Sequence, residues 1–280
     1  MTKGITEYHR PQHLDEALRL LARRDVVTVP IGGGSELIAE GRRDVEAVVD
    51  LRDLGLAYIR REGDALRVGA TTTLQALIDS PESAGAWEGE LARVIQHTAA
   101  RNLREQGTIA GTLVAAAGNN PLAVMLLALD ASLTILTPAS KTVSLDDFFP
   151  NRQSLLHGAL ITDILIPLPH SGEAAAFEKV SRTPADLPIV CAAVRARIDG
   201  ALRAARQVRI GLGGVGRLPT RVPRVEQSLE GRPLDRQSIE EAVQSIGDLD
   251  PPSDFQGSRE YRRKMAAILA RRALERCFKG

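Results

Sequence analysis

Cysteine is almost absent from this 280-residue chain: Cys191 and Cys277 are the only two, and they lie far apart in the sequence. A CxxC redox pair and a four-cysteine iron–sulfur or zinc site are therefore excluded for this chain alone. Any such cluster that its chemistry requires must belong to a partner protein.

Aromatic residues are also scarce, at 3% of the chain, and the formal net charge is only +1. A surface that stacks on nucleic-acid bases needs aromatic rings, and diffuse attraction to phosphate backbones or anionic membranes needs an excess of positive charge. The composition therefore predicts no nucleic-acid partner.

Long hydrophobic runs are missing as well. No stretch approaches the roughly 20 uninterrupted apolar residues of a membrane-spanning helix. The first ten residues, Met1 to Arg10, contain no apolar core of the kind found in a signal peptide. We therefore expect no membrane span and a cytoplasmic protein.

The usual signatures of hydrolytic and metal-dependent chemistry are absent too. The five histidines form no HExxH or HxH pattern, and the chain has no GxSxG turn. The sequence predicts no metal site and no catalytic acid, base or nucleophile. Each histidine is interpreted as a surface or hydrogen-bonded residue.

What is present is the composition of an ordinary globular protein, with 44% hydrophobic residues. A length near 300 residues is long for one hydrophobic core, so we expect a large domain and a smaller one. The predicted strands and helices follow one another without regular βαβ alternation, which favours an α+β fold. The polar turn at residues 170–173 indicates a domain boundary near residue 172.

The spacing of apolar residues predicts several elements. Tyr58–Arg61 and Ala65–Ala70 are predicted to form a hairpin, and Ile189–Ile198 and Ala204–Leu212 are predicted to be neighbouring strands. These segments place strands in both halves of the chain.

The last predicted helix, Arg259–Phe278, is amphipathic. Its basic residues include Arg262 and Arg263, and its apolar residues include Met265 and Leu269. Packing of the apolar face against the protein is the favoured interpretation. Docking of the basic face to an acidic partner subunit is the alternative.

The run Gly211–Gly216 matches GxGxxG after a predicted strand, so a Rossmann dinucleotide-binding turn has to be considered. That turn requires a helix that begins within the glycines, because the first amides of the helix bind the pyrophosphate. Here Pro219 and Pro223 come next and are predicted to block a helix. We therefore interpret the run as a turn after a core strand.

A shorter glycine run is better placed. The apolar strand Val26–Ile31 ends in Gly32–Gly34, and Ser35 is predicted to cap the segment after it. Consecutive exposed amides at this point can form an anion-binding nest. The small-residue stretch Thr108–Gly111 offers a second backbone surface, and two such loops facing each other suit a pyrophosphate without any positive side chain. Taken alone, each loop is more often a plain tight turn.

In their order and spacing, segments throughout the chain resemble the flavin-binding medium subunit of the molybdenum hydroxylases, the family of carbon monoxide dehydrogenase and xanthine dehydrogenase. The resemblance runs nearly end to end, although no single motif in it is highly specific. The segments that carry it are Tyr8–Pro11, Ile31–Leu37, Leu66–Thr73, Arg104, Gly107–Thr112, Ile161–Pro167, Phe177–Arg182, Ile210–Val215 and Ser258–Arg263.

The resemblance implies a two-lobed FAD-binding domain of the vanillyl-alcohol-oxidase/PCMH-like type at residues 1–172, with the lobes divided near 55–60. A smaller α+β domain of the carbon monoxide dehydrogenase flavoprotein type is implied at 173–280. FAD is expected between the domains, with its pyrophosphate on the two glycine loops and the Arg182–Asp186 loop near the isoalloxazine edge. The cofactor-binding residues implied in this way are Ile31, Gly32, Gly33, Gly34, Ser35, Glu36, Thr108, Ala110, Gly111, Thr112, Asn120, Ile161 and Asp186.

The same resemblance implies an electron-transfer subunit. It is expected to take electrons from iron–sulfur centres of one partner and to pass them to an external acceptor, while a molybdopterin-binding large subunit oxidises the organic substrate. A heterotrimer, or a pair of such heterotrimers, is the expected assembly. A stand-alone flavin oxidase or NAD(P)H reductase is the less favoured alternative, because no nicotinamide-binding signature is present.

Three positions depart from the family pattern. Ala110 and Thr112 stand where the family loop has Gly and Asn, and Pro121 stands where the family usually has an acidic residue, with Asn120 as the candidate substitute. These departures motivate a further alternative, in which the chain is a flavin-poor structural or assembly subunit.

Overall fold

A computed structural model gives the fold and describes residues 4–200 and 204–277, so Met1 and the predicted helix end at Phe278 lie outside the described residues. The strands are Glu7–His9 (β1), Thr28–Ile31 (β2), Ala47–Asp50 (β3), Ile59–Glu62 (β4), Ala65–Gly69 (β5), Ser132–Leu136 (β6), Ser140–Ser144 (β7), Leu160–Pro167 (β8), Glu173–Val180 (β9), Val190–Asp199 (β10), Ala204–Gly213 (β11) and Thr220–Arg221 (β12).

The α-helices are Leu14–Leu21 (α1), Ser35–Glu40 (α2), Leu74–Asp79 (α3), Pro81–Ala84 (α4), Glu90–Gln96 (α5), Arg101–Arg104 (α6), Ile109–Val114 (α7), Pro121–Ala128 (α8), Leu145–Leu155 (α9), Pro223–Leu229 (α10), Arg236–Val243 (α11) and Arg259–Cys277 (α12). A 3₁₀ turn follows α11 at Gln244–Asp248. The mixture of strands and helices confirms the α+β class.

The chain divides into two compact units, and neither is continuous in sequence. The first contains the residues up to Glu82 together with Arg101–Ala115 and Ser132–Ile166. The second contains Ser83–Ala100, Ala116–Ala131 and the chain from Pro167 onward. The boundary predicted near residue 172 and the lobe division near 55–60 stay predictions.

The first unit contains a parallel three-stranded sheet in the order β1-β3-β2. Its central strand β3 is buried throughout, with Val48 opposite both Tyr8 and Val29. Helix α1 covers this sheet by burying Ala17 and Leu21 in a small apolar core. The parallel order places the ends of β2 and β3 at one edge, where the first glycine run begins.

A five-stranded sheet in the order β4-β5-β8-β6-β7 forms the rest of the β-structure of the first unit. The predicted hairpin is confirmed, because β4 and β5 pair antiparallel from Ile59 opposite Val68 to Glu62 opposite Ala65. The interior of this sheet holds a buried carboxylate, Asp163, which accepts hydrogen bonds from Arg67 at 2.5 Å and from the Thr134 hydroxyl at 2.9 Å.

The second unit is built on an antiparallel sheet in the order β12-β11-β10-β9. The two neighbouring strands predicted there are confirmed as β10 and β11, which pair from Cys191 opposite Gly213 to Asp199 opposite Ala204. Helix α8 packs on both strands and is buried at every residue, which its continuous apolar sequence explains.

Helix α12 also packs on this sheet. The sequence predicts Arg262 on the basic face of this helix, and the structure instead buries it. Only 3% of Arg262 is exposed, and its guanidinium donates to the carbonyls of Ile189 at 2.7 Å and Gly214 at 3.0 Å. Both of its Nη2 contacts, at 2.8 Å, go to the Asp254 carboxylate. Helical periodicity groups this arginine with the other basic residues, but its side chain is buried because it supplies the donor for two buried carbonyls.

No helix within residues 4–200 and 204–277 combines the length and apolar character needed to span a bilayer.

The GxGxxG run forms the end of β11 and the turn after it. Cβ atoms added at Gly211 and Gly213 would lie 2.6 Å from the Val124 carbonyl and from the Cys191 sulfur, and Gly214 has a positive φ of 78°. The glycines therefore allow α8 and β10 to approach the strand end closely.

The expectation that both prolines block a helix is wrong for Pro223, which begins α10. Proline is favoured at the first helical position because that amide has no partner inside the helix. The helix begins well after Gly216, however, and the Rossmann geometry is not formed.

Candidate cofactor site

The first glycine run connects β2 to α2 at the end of the parallel sheet. Gly34 has a φ of 74° and is the N-cap residue of α2, and no side chain caps this helix. The prediction that Ser35 caps the helix is wrong, since the left-handed backbone at Gly34 starts the helix one residue earlier and makes Ser35 its first residue.

The run leaves a continuous row of unused amide groups. The amides of five consecutive residues donate to no acceptor among the described residues: Gly32, Gly33, Gly34, Ser35 and Glu36. The first amides of a helix have no partner within the helix itself, which accounts for the last two. The loop is partly exposed and carries no basic side chain, so its capacity for an anion lies in the backbone.

The second predicted loop differs, because most of its amides are bonded within the chain. The amides of Ile109 and Ala110 donate to the carbonyls of Thr72 at 2.9 Å and Ala70 at 3.3 Å. Thr108 is the N-cap of α7 and its hydroxyl accepts from the Gly111 amide at 3.2 Å. Of the amides at 108–112, that of Thr108 alone lacks an acceptor among the described residues.

The two residues of this loop that differ from the family pattern, Ala110 and Thr112, contact other parts of the chain. Ala110 is buried, with 8% exposed, and the Thr112 hydroxyl donates to the Thr108 carbonyl at 2.9 Å. Of the five residues 108–112 only Gly111 is exposed, and the one amide without an acceptor among the described residues belongs to Thr108, which is 6% exposed.

The structure brings the two glycine loops into contact. A Cβ atom at Gly33 would lie 1.7 Å from the Gln106 carbonyl, and one at Gly32 would lie 2.8 Å from the Thr108 hydroxyl oxygen. Sequence reasoning missed Gln106, since a contact through its backbone carbonyl leaves no signal in the side chain. Glycine at position 33 is required for this approach, whatever the loop binds.

A buried carboxylate lies one strand away from the first loop. Asp50 pairs in register with Ile31 and accepts hydrogen bonds from the Tyr8 hydroxyl and from Arg52, whose Nε lies at 2.8 Å. Burial, the largest influence, raises the pKa of Asp50, but these donors outweigh it and hold the pKa below its usual range. The charge is therefore present at neutral pH and is paired with Arg52.

Ile161 belongs to the same unit as the two loops. It lies on β8 opposite Ile135 and is buried, with 4% exposed. Within this unit it is a member of the five-stranded sheet.

Asn120 and Asp186 belong to the second unit. Asn120 is the N-cap of α8, and its Oδ1 accepts from the Ala123 amide at 3.0 Å, while Pro121 occupies the first helical position. The Asp186 carboxylate accepts from the Thr183 amide at 3.2 Å. The carboxylate of Asp186 and the carbonyl oxygen of the Asn120 side chain thus each hold a turn of their own unit.

Replacing Asn120 tests its capping role. Asn120→Ala is expected to lower the free energy of unfolding by about 1 kcal/mol, because the Ala123 amide loses its acceptor. Asn120→Ser keeps a capping oxygen and is the matched control. Chemical denaturation of the purified variants measures both, and equal losses for Ala and Ser would contradict the capping role.

Comparisons with known proteins match almost the whole chain. Residues 3–169 match the FAD binding domain in molybdopterin dehydrogenase, and residues 175–277 match the CO dehydrogenase flavoprotein C-terminal domain. The carbon monoxide dehydrogenase medium chain of Afipia carboxidovorans is 32% identical over 288 residues, covering 99% of this chain and 98% of that protein. The nicotine 6-hydroxylase medium subunit of Paenarthrobacter nicotinovorans is 31% identical, covering 95% of each.

Solved structures agree with the sequence matches. A chain of Cu,Mo-CO dehydrogenase superposes with a TM-score of 0.88 at 31% identity, covering 99% of both chains. A chain of quinoline 2-oxidoreductase from Pseudomonas putida superposes with a TM-score of 0.89 at 26% identity, covering 100% of this chain and 99% of the other.

Proposed function

Since this chain belongs to the FAD-binding medium-subunit family of the molybdenum hydroxylases, we propose that it is the electron-transfer subunit of such an enzyme. It is an oxidoreductase subunit, and its cofactor is FAD. In this proposal it takes electrons from iron–sulfur centres of a partner subunit, and a molybdopterin-binding large subunit oxidises the organic substrate. An external acceptor receives the electrons, and the complex works in the cytoplasm.

The observation that carries the cofactor site is the row of unused amides at Gly32–Glu36. A pyrophosphate brings several anionic oxygens close together, and consecutive amides at the start of a helix are suited to bind them. The Thr108 amide adds one further donor from the touching loop. The residues present therefore fit the pyrophosphate of FAD.

The chain's own task is to bind and orient this group. Bound FAD supplies redox chemistry that exchanges electrons singly or in pairs. The backbone of the first glycine loop would hold the phosphates, and no side-chain acid or base is assigned to a step. Both cysteines are buried, and burial raises the pKa of each thiol, so both thiols stay protonated at neutral pH.

We extend the proposal to the domains and to the remaining site residues. The two family matches meet between residues 169 and 175, which supports a domain boundary near 172. The lobe division near 55–60 and the cofactor roles of Ile161, Asn120 and Asp186 rest on the family resemblance.

An anaerobic mixing experiment tests the electron path. The iron–sulfur subunit of the same enzyme, reduced with dithionite and desalted, is mixed with the FAD-loaded chain. The expected result is bleaching of the flavin absorbance on mixing. An oxidised sample of the same partner is the control and is expected to leave the flavin unchanged.

Two other results would contradict the proposal. If dithionite reduces the bound flavin and the reduced iron–sulfur subunit does not, the proposed electron path is excluded. Rapid bleaching by NADH with no partner present would instead support a stand-alone reductase.

A second candidate, a flavin-poor structural or assembly subunit of such a complex, draws support from the second loop. The amides at Ile109–Thr112 are bonded within the chain and are not available to a phosphate. A purified chain that stays colourless with excess FAD would favour this candidate.

A further inference from the structure

The conformation of the first glycine loop depends on what the loop packs against. The amides of Gly32–Glu36 make no hydrogen bond among the described residues, so these groups do not fix the loop. Gly33 approaches the Gln106 carbonyl closely, and Gly32 approaches the Thr108 hydroxyl. A site whose donors are in place before the ligand arrives binds more tightly than one that must be ordered. The position of Gln106 therefore affects what the first loop can bind.

A helical turn with little burial of its own leads into the second glycine loop. This segment, residues 101–107, is the α6 turn, and helix α6 within it has no buried residue. The Gly107 amide donates to the Leu103 carbonyl at 2.6 Å, and the Gly107 carbonyl accepts from the Leu74 amide at 2.9 Å. A segment with so little burial needs contacts outside itself to keep one conformation.

Helix α3 provides such a contact through a buried side chain. The Arg104 Nε donates to the Gln75 Oε1 at 3.1 Å. Gln75 is 6% exposed, and its Nε2 donates to the Asp79 carboxylate at 2.9 Å. An ionised carboxylate only accepts hydrogen bonds, so the contact with Asp79 leaves the amide oxygen of Gln75 facing Arg104. Both ends of the buried amide are thus satisfied.

Helix α3 is itself fixed in the core of the first unit. Leu74 and Leu77 are buried, with 2% and 1% exposed. The Thr73 hydroxyl caps the helix by accepting from the Ala76 amide at 3.1 Å. A hydrogen bond from a charged donor to a buried acceptor is stronger than one between two exposed groups. The bond to Gln75 therefore connects the α6 turn to a part of the unit that does not move easily.

We propose that Gln75 is a positioning residue for FAD: through Arg104 it fixes the α6 turn, and with it the surface on which the first glycine loop rests. The link to FAD rests on the proposed function, in which that loop binds the pyrophosphate. Gln75, Arg104 and both glycine loops belong to the same compact unit. Gln75 lies outside both glycine-rich segments, so no motif in the sequence marks it.

The test compares Gln75→Met with wild type and with Gln237→Met. Methionine has a similar length and removes both polar groups of the amide. Gln237 is exposed on α11 and donates to Glu241 of the same helix at 3.0 Å, so its replacement removes the same kind of bond in the second unit. Hydrogen exchange of the apoprotein is the first readout. Exchange at the Leu74 and Gly107 amides is expected to be about tenfold faster in Gln75→Met than in either control, as loss of the charge-assisted bond predicts.

The second readout is the dissociation constant of FAD, measured by titration of the apoprotein. Gln75→Met is expected to bind FAD about fivefold to tenfold more weakly than both controls, because binding must then order the first loop. Gln75→Glu keeps an oxygen facing Arg104, and the exposed Asp79 carboxylate can turn into solvent, so this variant is expected to restore binding close to that of wild type. A role in stability alone would leave the FAD affinity of the folded chain unchanged.

Arg104→Met tests the route by which Gln75 acts. If Gln75 acts through Arg104, adding Gln75→Met to the Arg104→Met chain is expected to weaken FAD binding no further. A further loss as large as that in Gln75→Met alone would show that the two residues act independently, and would overturn this route.

The outcomes separate this proposal from the proposed function. Wild-type FAD affinity in Gln75→Met overturns the positioning role, whatever the hydrogen exchange shows. A Gln75→Glu chain that binds FAD as weakly as Gln75→Met overturns it as well. A wild-type chain that takes up no FAD contradicts the proposed function instead, and exchange at Leu74 and Gly107 still decides whether Gln75 fixes the α6 turn.

Discussion

Gly33→Ala is expected to weaken FAD binding by about tenfold to a hundredfold, the effect of losing hydrogen bonds to a charged group. The new methyl group would lie 1.7 Å from the Gln106 carbonyl, which is backbone and has no rotamer to change. One of the two glycine loops must therefore move, and the row of amides at Gly32–Glu36 moves with it. The rearrangement is also expected to lower the free energy of unfolding by about 1–3 kcal/mol.

The matched control for this change is Gly85→Ala. A Cβ atom at Gly85 would meet nothing within 4 Å, and the residue has no positive φ. FAD titration by absorbance, with chemical denaturation of the apoprotein, measures both effects. Wild-type FAD affinity in Gly33→Ala would contradict the role assigned to the contact between the loops.

Glu90→Gln is expected to lower the free energy of unfolding by about 1–3 kcal/mol, the usual cost of removing a buried charged acceptor from its hydrogen bonds, since the partners Arg93 and Arg276 keep partial contact with water. Glu90 is 6% exposed and accepts hydrogen bonds from Arg93 at 2.5 and 2.8 Å, from the Phe177 amide at 2.5 Å, and from Arg276 at 3.3 Å. The glutamine would place an NH₂ group where the arginines need an acceptor.

The effect of Glu90→Gln should depend on pH. Burial is the largest single influence on Glu90 and raises its pKa. Hydrogen bonding and charge from Arg93, together with Arg276 and the Phe177 amide, lower the pKa by more than burial raises it, so the net value lies below 4.5. A carboxylate with a lowered pKa in the folded state stabilises the fold above its unfolded pKa, and this contribution is lost as the pH falls through the folded value. The difference between wild type and Glu90→Gln should shrink below pH 4.5.

Glu88→Gln is the control for this experiment, since Glu88 lies two residues away and is exposed. Denaturation curves of the three proteins at neutral and acidic pH measure the differences. A Glu90→Gln protein as stable as Glu88→Gln at neutral pH would show that the cluster around Glu90 contributes little.

The local parts of the fold could be predicted from the sequence. The β4–β5 hairpin and the β10–β11 pair follow from alternating apolar residues on either side of short polar turns. The first glycine loop is found in the same way, because the apolar run of β2 stops at three glycines. Strand β7 was missed, since four of its five residues are exposed and give no alternating pattern.

What could not be predicted depends on partners distant in sequence. Arg262 resembles the other basic residues of its helix, and only the carbonyls of Ile189 and Gly214 explain its burial. Gly34 replaces Ser35 as the N-cap because of a backbone angle that three successive glycines leave open. Pro223 reads equally well as the end or the start of a helix until the position of α10 is known.

Hydrogen–deuterium exchange with and without saturating FAD shows whether the unused amides of the first glycine loop hold the cofactor. Slower exchange is expected at the amides of Gly32–Glu36 when FAD is bound, with little change at Ile109–Thr112, where the amides are already bonded within the chain. Unchanged exchange at Gly32–Glu36 in a chain that has taken up FAD would contradict this role of the loop and place the pyrophosphate elsewhere.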